Sequence, residues 1–205
     1  MKKIFDQVSI KCSQLTTRAY STSFSLGIQL LDKSLRNSIH SIYGYVRFAD
    51  EIVDTFHDFN KEELLERFKK DTFIAIEEGI SLNPIINSFQ ATVNRYQIDH
   101  SLITLFLNSM AMDLEEQEFK KKNFNEYILG SAEVVGLMCL TVFCNGNKQQ
   151  YEDLKPFAMS LGAAFQKVNF LRDINADYND LGRSYFPNVD LTKFDDTVKT
   201  KIEFD

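Results

Sequence analysis

Apolar residues recur along this chain at three- and four-residue intervals, and the strict polar–apolar alternation of half-buried strands is scarce. Prolines stand only at 84, 156 and 187, so little interrupts long helices. Local signals then place the starts. Asp32 is set to cap a long helix running to about Phe56, and Asn60 with Glu63 forms a capping-box pattern for the next. Asn83-Pro84 pairs a cap with a proline at the first helical position. Asp99 opens a helix reaching about Lys122. Asn123 with Glu126 starts another, ended by Asn145-Gly146-Asn147. A last long helix is expected from near Lys148 through Asp177, with Pro156 as a point of bending, and Asp180-Leu181-Gly182 reads as a turn. No internal repeat, low-complexity tract or linker divides the chain. The pattern predicts a single all-α domain over residues 1–205.

Two of these helices carry acidic clusters, Asp50-Glu51-Ile52-Val53-Asp54 and, more than a hundred residues later, Asn169 to Asp177. A helix turns roughly 100° per residue, so a four-residue step advances only about 40° around the axis. Asp50 and Asp54 therefore share a face, as do Asn169, Asp173 and Asp177. Like charges at that spacing repel, and a divalent cation would remove the repulsion. Every candidate ligand is an oxygen, which suits Mg²⁺, a hard ion that takes few carboxylates and keeps positions for water and phosphate. If the two helices face each other, the site is a Mg²⁺-diphosphate clamp.

An Asp-x-x-x-Asp pair alone is common on solvated helices, but the flanks here are apolar: Val46, Phe48, Ile52 and Val53 in one, Val168, Phe170, Leu171 and Ile174 in the other. Carboxylates on helices that are largely buried need partners or metal. Arg47 and Arg172 each adjoin a cluster, as plain salt-bridge partners or as donors to phosphate oxygens. His40, His57 and His100 form no metal or triad set and read as structural or exposed. The 18 phenylalanines read as ordinary core before they read as the wall of a ligand cavity.

A net charge of −6 without a basic stripe argues against nucleic acid as a partner. Three cysteines without metal-ligand spacing point to reduced thiols and a cytoplasmic setting rather than a disulfide framework. Asp6, Gln7 and Lys11 interrupt any signal-peptide apolar region. The most apolar run, Val134 to Cys144, is far short of the roughly 20 residues of a spanning helix, which leaves room only for peripheral membrane association. The eight glycines are scattered, so no phosphate-cradling glycine motif supports a nicotinamide site.

Five ordered blocks carry a family resemblance. They are Tyr20 to Leu26 with Ile42 to Asp54; Met110 to Leu114; Tyr127 with Val134 to Met138; Gln166 to Asp177; and Gly182 to Pro187. Together they resemble the phytoene and squalene synthases, which join two prenyl diphosphates head to head. The resemblance implies the isoprenoid-synthase helical fold around a central apolar cavity, with Mg²⁺ (or Mn²⁺) at its mouth. It implies metal binding by Asp50, Asp54, Asn169, Asp173 and Asp177, the four aspartates being catalytic through the metal. Tyr43, Arg47, Gln166 and Arg172 match positions at the diphosphate or the reacting head groups. Ser21, Ser23 and Phe24 match a segment that covers one substrate, and Tyr127 a polar position in the upper cavity. Arg183 and Tyr185 match a segment after the second motif. Cyclising terpene synthases typically end their second motif in Ser/Thr and Glu, where this chain has Asp173 and Asp177.

The blocks lean towards the carotenoid branch. The expected reaction is therefore 1'-1 condensation of two geranylgeranyl diphosphates to phytoene through a cyclopropyl diphosphate. The alternatives are squalene or dehydrosqualene synthesis from farnesyl diphosphate, with NADPH needed only for squalene, or a non-catalytic member on the same fold. Family members usually continue for several more helices, so the 205-residue chain is expected to be C-terminally truncated, with little or no condensing activity alone. The oligomeric state is left open.

Overall fold

The computed structural model describes residues 2–114, 121–179 and Thr200, with side chains at 2–114, 124–173 and 200. Helices follow in order: α1 (Lys2–Tyr20), α2 (Thr22–Leu30), α3 (Lys33–Asp54), α4 (Lys61–Glu78), α5 (Pro84–Tyr96), α6 (His100–Met112), α7 (Lys121–Ile128), a π-helical turn (Leu129–Glu133), α8 (Val134–Cys144) and α9 (Lys148–Asn179). No strand occurs among the described residues.

The local start signals act as expected. The Asp32 carboxylate accepts from the Ser34 N–H, Asn60 from Glu63, Asn83 from Ile85 and Ile86, and Asp99 from Ser101. Each thereby satisfies a backbone donor that a helix leaves without an internal partner. Asn145, at φ 44°, and Gly146, at φ 89°, close α8 in the left-handed region. α9 runs through Pro156. The expected turn at 180–182 lies outside the described residues.

Three features depart from the sequence pattern. α6 ends at Met112, ten residues before the expected Lys122. The N–H groups of Asp113 and Leu114 donate to Met110 and Ala111, three residues back, and so tighten the last turn. The helix expected from Asn123 begins at Lys121 and is interrupted by the π turn. There Gly130 lies against α6 and Gly162 of α9 lies against the turn. A Cβ at Gly130 would stand 2.7 Å from the Leu105 carbonyl oxygen, and one at Gly162 would stand 3.0 Å from Ala132 O. Finally, α1 is a helix whose buried face is Ser9, Ser13, Thr16 and Thr17, invisible to any search for apolar periodicity. Those hydroxyls meet α3 and α5: Ser13 Oγ lies 2.6 Å from Ser88 Oγ, Thr17 Oγ1 lies 2.9 Å from His40 Nδ1, and Asn87 Nδ2 donates to Ser9 Oγ at 3.1 Å. Gly44 lets the backbones close, since a Cβ there would meet Ser13 at 3.2 Å.

α3 is the central helix, packed by α1, α4, α5, α6 and α8. Its Tyr45 lies flat on Phe89 of α5, ring centroids 3.7 Å apart at 5°, with Phe68 of α4 at 5.0 Å. Offset and stacked aromatics of this kind supply large burial in a defined geometry. The stretch Phe124–Cys144 is long and apolar enough to cross a bilayer by length and composition, longer than the run the sequence alone suggested. Half of it is buried, chiefly where α8 and the π turn pack on α3, α6 and α9, and this packing accounts for its apolarity. A second, smaller apolar cluster joins Tyr127 and Ile128 of α7 to Phe170 of α9, with Met112, Phe124 and Ala163 against it.

Candidate functional site

α3 presents Tyr43, Arg47, Asp50 and Asp54 along one face, because each follows the last by three or four residues. Burial pushes the Asp50 carboxyl up to about 7, and the negative charges of Asp54, Asp113 and Glu51 push the same way against the pull of Arg47. Arg47 is half-buried. It pairs with Glu51 one turn on, and its guanidinium lies over the Tyr20 ring, 4.5 Å from the centroid. Its Nε is buried without a hydrogen-bond partner, so one donor of a fixed positive fork is left for an acceptor to meet. Tyr43 packs against Phe24 with ring centroids 5.4 Å apart, and burial raises its phenol above the ordinary tyrosine value, opposed by nearby Arg47 and Ser21. Ser21 caps α2 by accepting from the Phe24 N–H at 3.1 Å and lies 3.3 Å from Ser23 Oγ. Ser21, Ser23 and Phe24 thus gather with Tyr43 where α2 meets α3, and Arg47, Asp50 and Asp54 continue the same face towards the end of α3.

The second-half candidates ride on α9. Gln166 and Asn169 are half-buried, and Arg172 forks onto the neighbouring Asp173 with nitrogen–oxygen distances of 2.8 and 2.6 Å. That pair is exposed, so it orients Asp173 more than it stabilises the fold. Asp177 lies in α9 with its side chain outside the described residues, and Arg183 and Tyr185 lie wholly outside them. Leu161, Phe165, Asn169 and Asp173 follow at four-residue steps, so one row changes from apolar to acidic along the helix. Its apolar end is open: Leu161 is 60% and Phe165 58% exposed, and Phe157 and Val168 are exposed beside it.

α3 and α9 both pack on α8, and among the described residues they make no extensive contact with each other. Among the described residues, no group of three or more metal-binding side chains converges there. What connects the two halves is Asp113, which was not among the candidate site residues of the sequence. Its carboxylate accepts from the Tyr127 hydroxyl at 2.8 Å and its charge reaches Asp50. The one signal in the sequence was its place in the Met110 to Leu114 block of the family resemblance.

A family model described as squalene/phytoene synthase matches residues 17–202. The chain belongs to that family. Among curated relatives of this squalene/phytoene synthase family member, the 4,4'-diapophytoene synthase of Staphylococcus haemolyticus is 26% identical over 95% of this chain and 67% of its own. The phytoene synthase of Arthrospira platensis is 30% identical over 91% of this chain and 63% of its own. Phytoene synthase 1 of Solanum lycopersicum is 27% identical over 94% of this chain and 46% of its own. The chain therefore spans about half to two thirds of the length of these relatives. In fold it is similar to a dehydrosqualene synthase solved with a ligand, with a TM-score of 0.78 and 24% identity over 96% of this chain and 66% of that one. It is likewise similar to the squalene synthase HpnC from Alicyclobacillus acidocaldarius, with a TM-score of 0.79 and 20% identity over 97% of this chain and 74% of that one. The all-α isoprenoid-synthase fold expected from the sequence is the fold observed.

Proposed function

We propose that this chain carries the metal-binding and head-group residues of a head-to-head prenyltransferase that condenses two prenyl diphosphates. The observation that carries the reading is the face of α3, where half-buried Asp50 sits among like charges near Arg47, whose Nε has no hydrogen-bond partner. Carboxylates held together at that cost call for a cation, and an all-oxygen donor set fits Mg²⁺. Asp50 and Asp54 would hold it from α3, and Asn169, Asp173 and Asp177 from α9. When bound, Mg²⁺ neutralises the diphosphate so that it can leave.

The chain's own residues do the rest. Arg47 and Arg172 donate to phosphate oxygens, which adds fixed positive charge where negative charge develops. Tyr43 and Gln166 orient the head groups. Ser21, Ser23 and Phe24 cover one substrate, with Phe24 already seated on Tyr43. The apolar end of the α9 row, Leu161 and Phe165, lies along the prenyl tail and keeps water from the allylic cation. The double bond of the second chain attacks that cation, and loss of a proton from the resulting cation closes the ring of a cyclopropyl diphosphate. A second ionisation, rearrangement and proton loss end the sequence.

The substrates we favour are two geranylgeranyl diphosphates, giving phytoene. The likeness to a 4,4'-diapophytoene synthase supports a second reading, two farnesyl diphosphates and a C30 product, with NADPH required only if that product is squalene. Product release would suit peripheral contact with a membrane from the cytoplasmic side. Two experiments test the proposal. Calorimetry with a farnesyl or geranylgeranyl thiodiphosphate should show clear binding in Mg²⁺ and little in chelator, and equal affinity in both overturns the metal reading. Mass spectrometry of the hydrocarbon made by the complete gene product from each diphosphate, with and without NADPH, should show a C40 chain; a C30 main product reverses the choice of substrate.

A further inference from the structure

The connection between the two acidic helices runs through a residue to which the reaction assigns no role. Asp113 ends α6, and its carboxylate takes the Tyr127 hydroxyl hydrogen bond at 2.8 Å. Tyr127 is buried, and its ring lies 5.9 Å from that of Phe170, with the Phe124 ring 5.8 Å from Phe170 as well. Phe170 is itself buried and stands between Asn169 and Asp173 on α9. α9 packs chiefly on α8 and the π turn, and these rings join its Phe170 to α7. The π turn fixes the geometry. It begins two residues after Tyr127 and is held by the close approaches at Gly130 and Gly162, between α7 and α8.

We infer that Asp113 is a positioning residue: by holding Tyr127 it holds Phe170, and so sets where Asn169 and Asp173 stand relative to Asp50 and Asp54. The inference rests on the site proposed above, but its mechanical part stands apart from it. A buried tyrosine hydroxyl that loses its acceptor tilts or draws in water, and its ring then no longer supports the phenylalanine packed on it. An amide at position 113 still offers a carbonyl oxygen to that hydroxyl, whereas alanine offers none.

The test compares the wild type with Asp113→Ala, Asp113→Asn, Tyr127→Phe and the Asp113→Ala/Tyr127→Phe double variant. Hydrogen-exchange mass spectrometry follows peptides covering 164–173, and calorimetry follows Mg²⁺-dependent binding of a farnesyl thiodiphosphate. Asp113→Ala and Tyr127→Phe should each speed exchange around Phe170 severalfold and weaken analogue binding about tenfold. The double variant should be no worse than either single one, and Asp113→Asn should restore both readouts. Unchanged exchange in both single variants overturns the inference, as does additive loss in the double variant or failure of Asp113→Asn to restore. A wild-type chain that binds no analogue overturns the functional proposal instead, and the exchange comparison still decides the role of Asp113.

Discussion

Replacing Asp50 by asparagine should make the metal-free protein more stable, even though it removes a residue the proposed reaction needs. The Asp50 carboxyl titrates at about 7 in the folded chain against 3.8 for an ordinary aspartate, because burial and the charges of Asp54 and Asp113 oppose its ionisation. Between those values the unfolded chain has lost its proton while the folded chain keeps it. The group's contribution is therefore fully present below about pH 4 and fully lost above about pH 7. Roughly three pKa units at about 1.4 kcal/mol each set an upper bound of about 4 kcal/mol. Relaxation and water entry reduce this, so we expect about 1–3 kcal/mol. With a urea dependence of about 2 kcal/mol per molar, the midpoint should rise by roughly 0.5–1.5 M. The assay is urea unfolding of wild type and Asp50→Asn in chelator at pH 4.5 and pH 8. The difference should be small at the lower pH and full at the higher. Mg²⁺ with a prenyl thiodiphosphate should favour the wild type and cancel or reverse the order, since ligand bound only to the folded state adds to its stability. A midpoint for Asp50→Asn equal to or below wild type at pH 8 in chelator would refute the reasoning.

Three further outcomes are expected. Gly130→Ala should cost about 1–3 kcal/mol in chemical denaturation, since its methyl would stand 2.7 Å from the Leu105 carbonyl oxygen and from Ser109 Cβ; a neutral effect would contradict the packing of the π turn. His40 is buried against Thr17 and held below its ordinary 6.5, by burial first and Arg18 second. The stability it contributes is present above about pH 6.5 and lost as pH falls through its lower folded value, so His40→Gln should flatten the decline in melting temperature below pH 6.5. In the complete gene product, Asp173→Ala should lower turnover by orders of magnitude while exposed Asp58→Ala leaves it near normal, measured as hydrocarbon formed per enzyme; equal activities would remove Asp173 from the site.

Helix starts were legible in the sequence because a cap is a local device. Asp32, Asn60, Asn83 and Asp99 each satisfy N–H groups two or three residues away, whatever the rest of the chain does. The alignment of Asp50 with Asp54, and of Asn169 with Asp173, was legible for the same reason, since helical geometry alone brings residues four apart onto one face. The burial of α1 was not. Ser9, Ser13, Thr16 and Thr17 read as a solvated face, and only Ser88, Asn87, His40 and Gly44, on two other helices, make it an interior one. The end of α6 and the π turn were hidden too. No glycine or proline stops α6 at Met112, and the turn at Leu129–Glu133 is clamped by α6 and α9 rather than by its own residues. Asp113 lies in the Met110 to Leu114 block that carries the family resemblance, but its role was hidden, since its partners Tyr127 and Asp50 stand on two separate helices. Chemistry within one helical turn is encoded by adjacent residues and can be read from them. Chemistry between helices depends on the directions in which packing aims each side chain, and those directions exist only once the chain has folded.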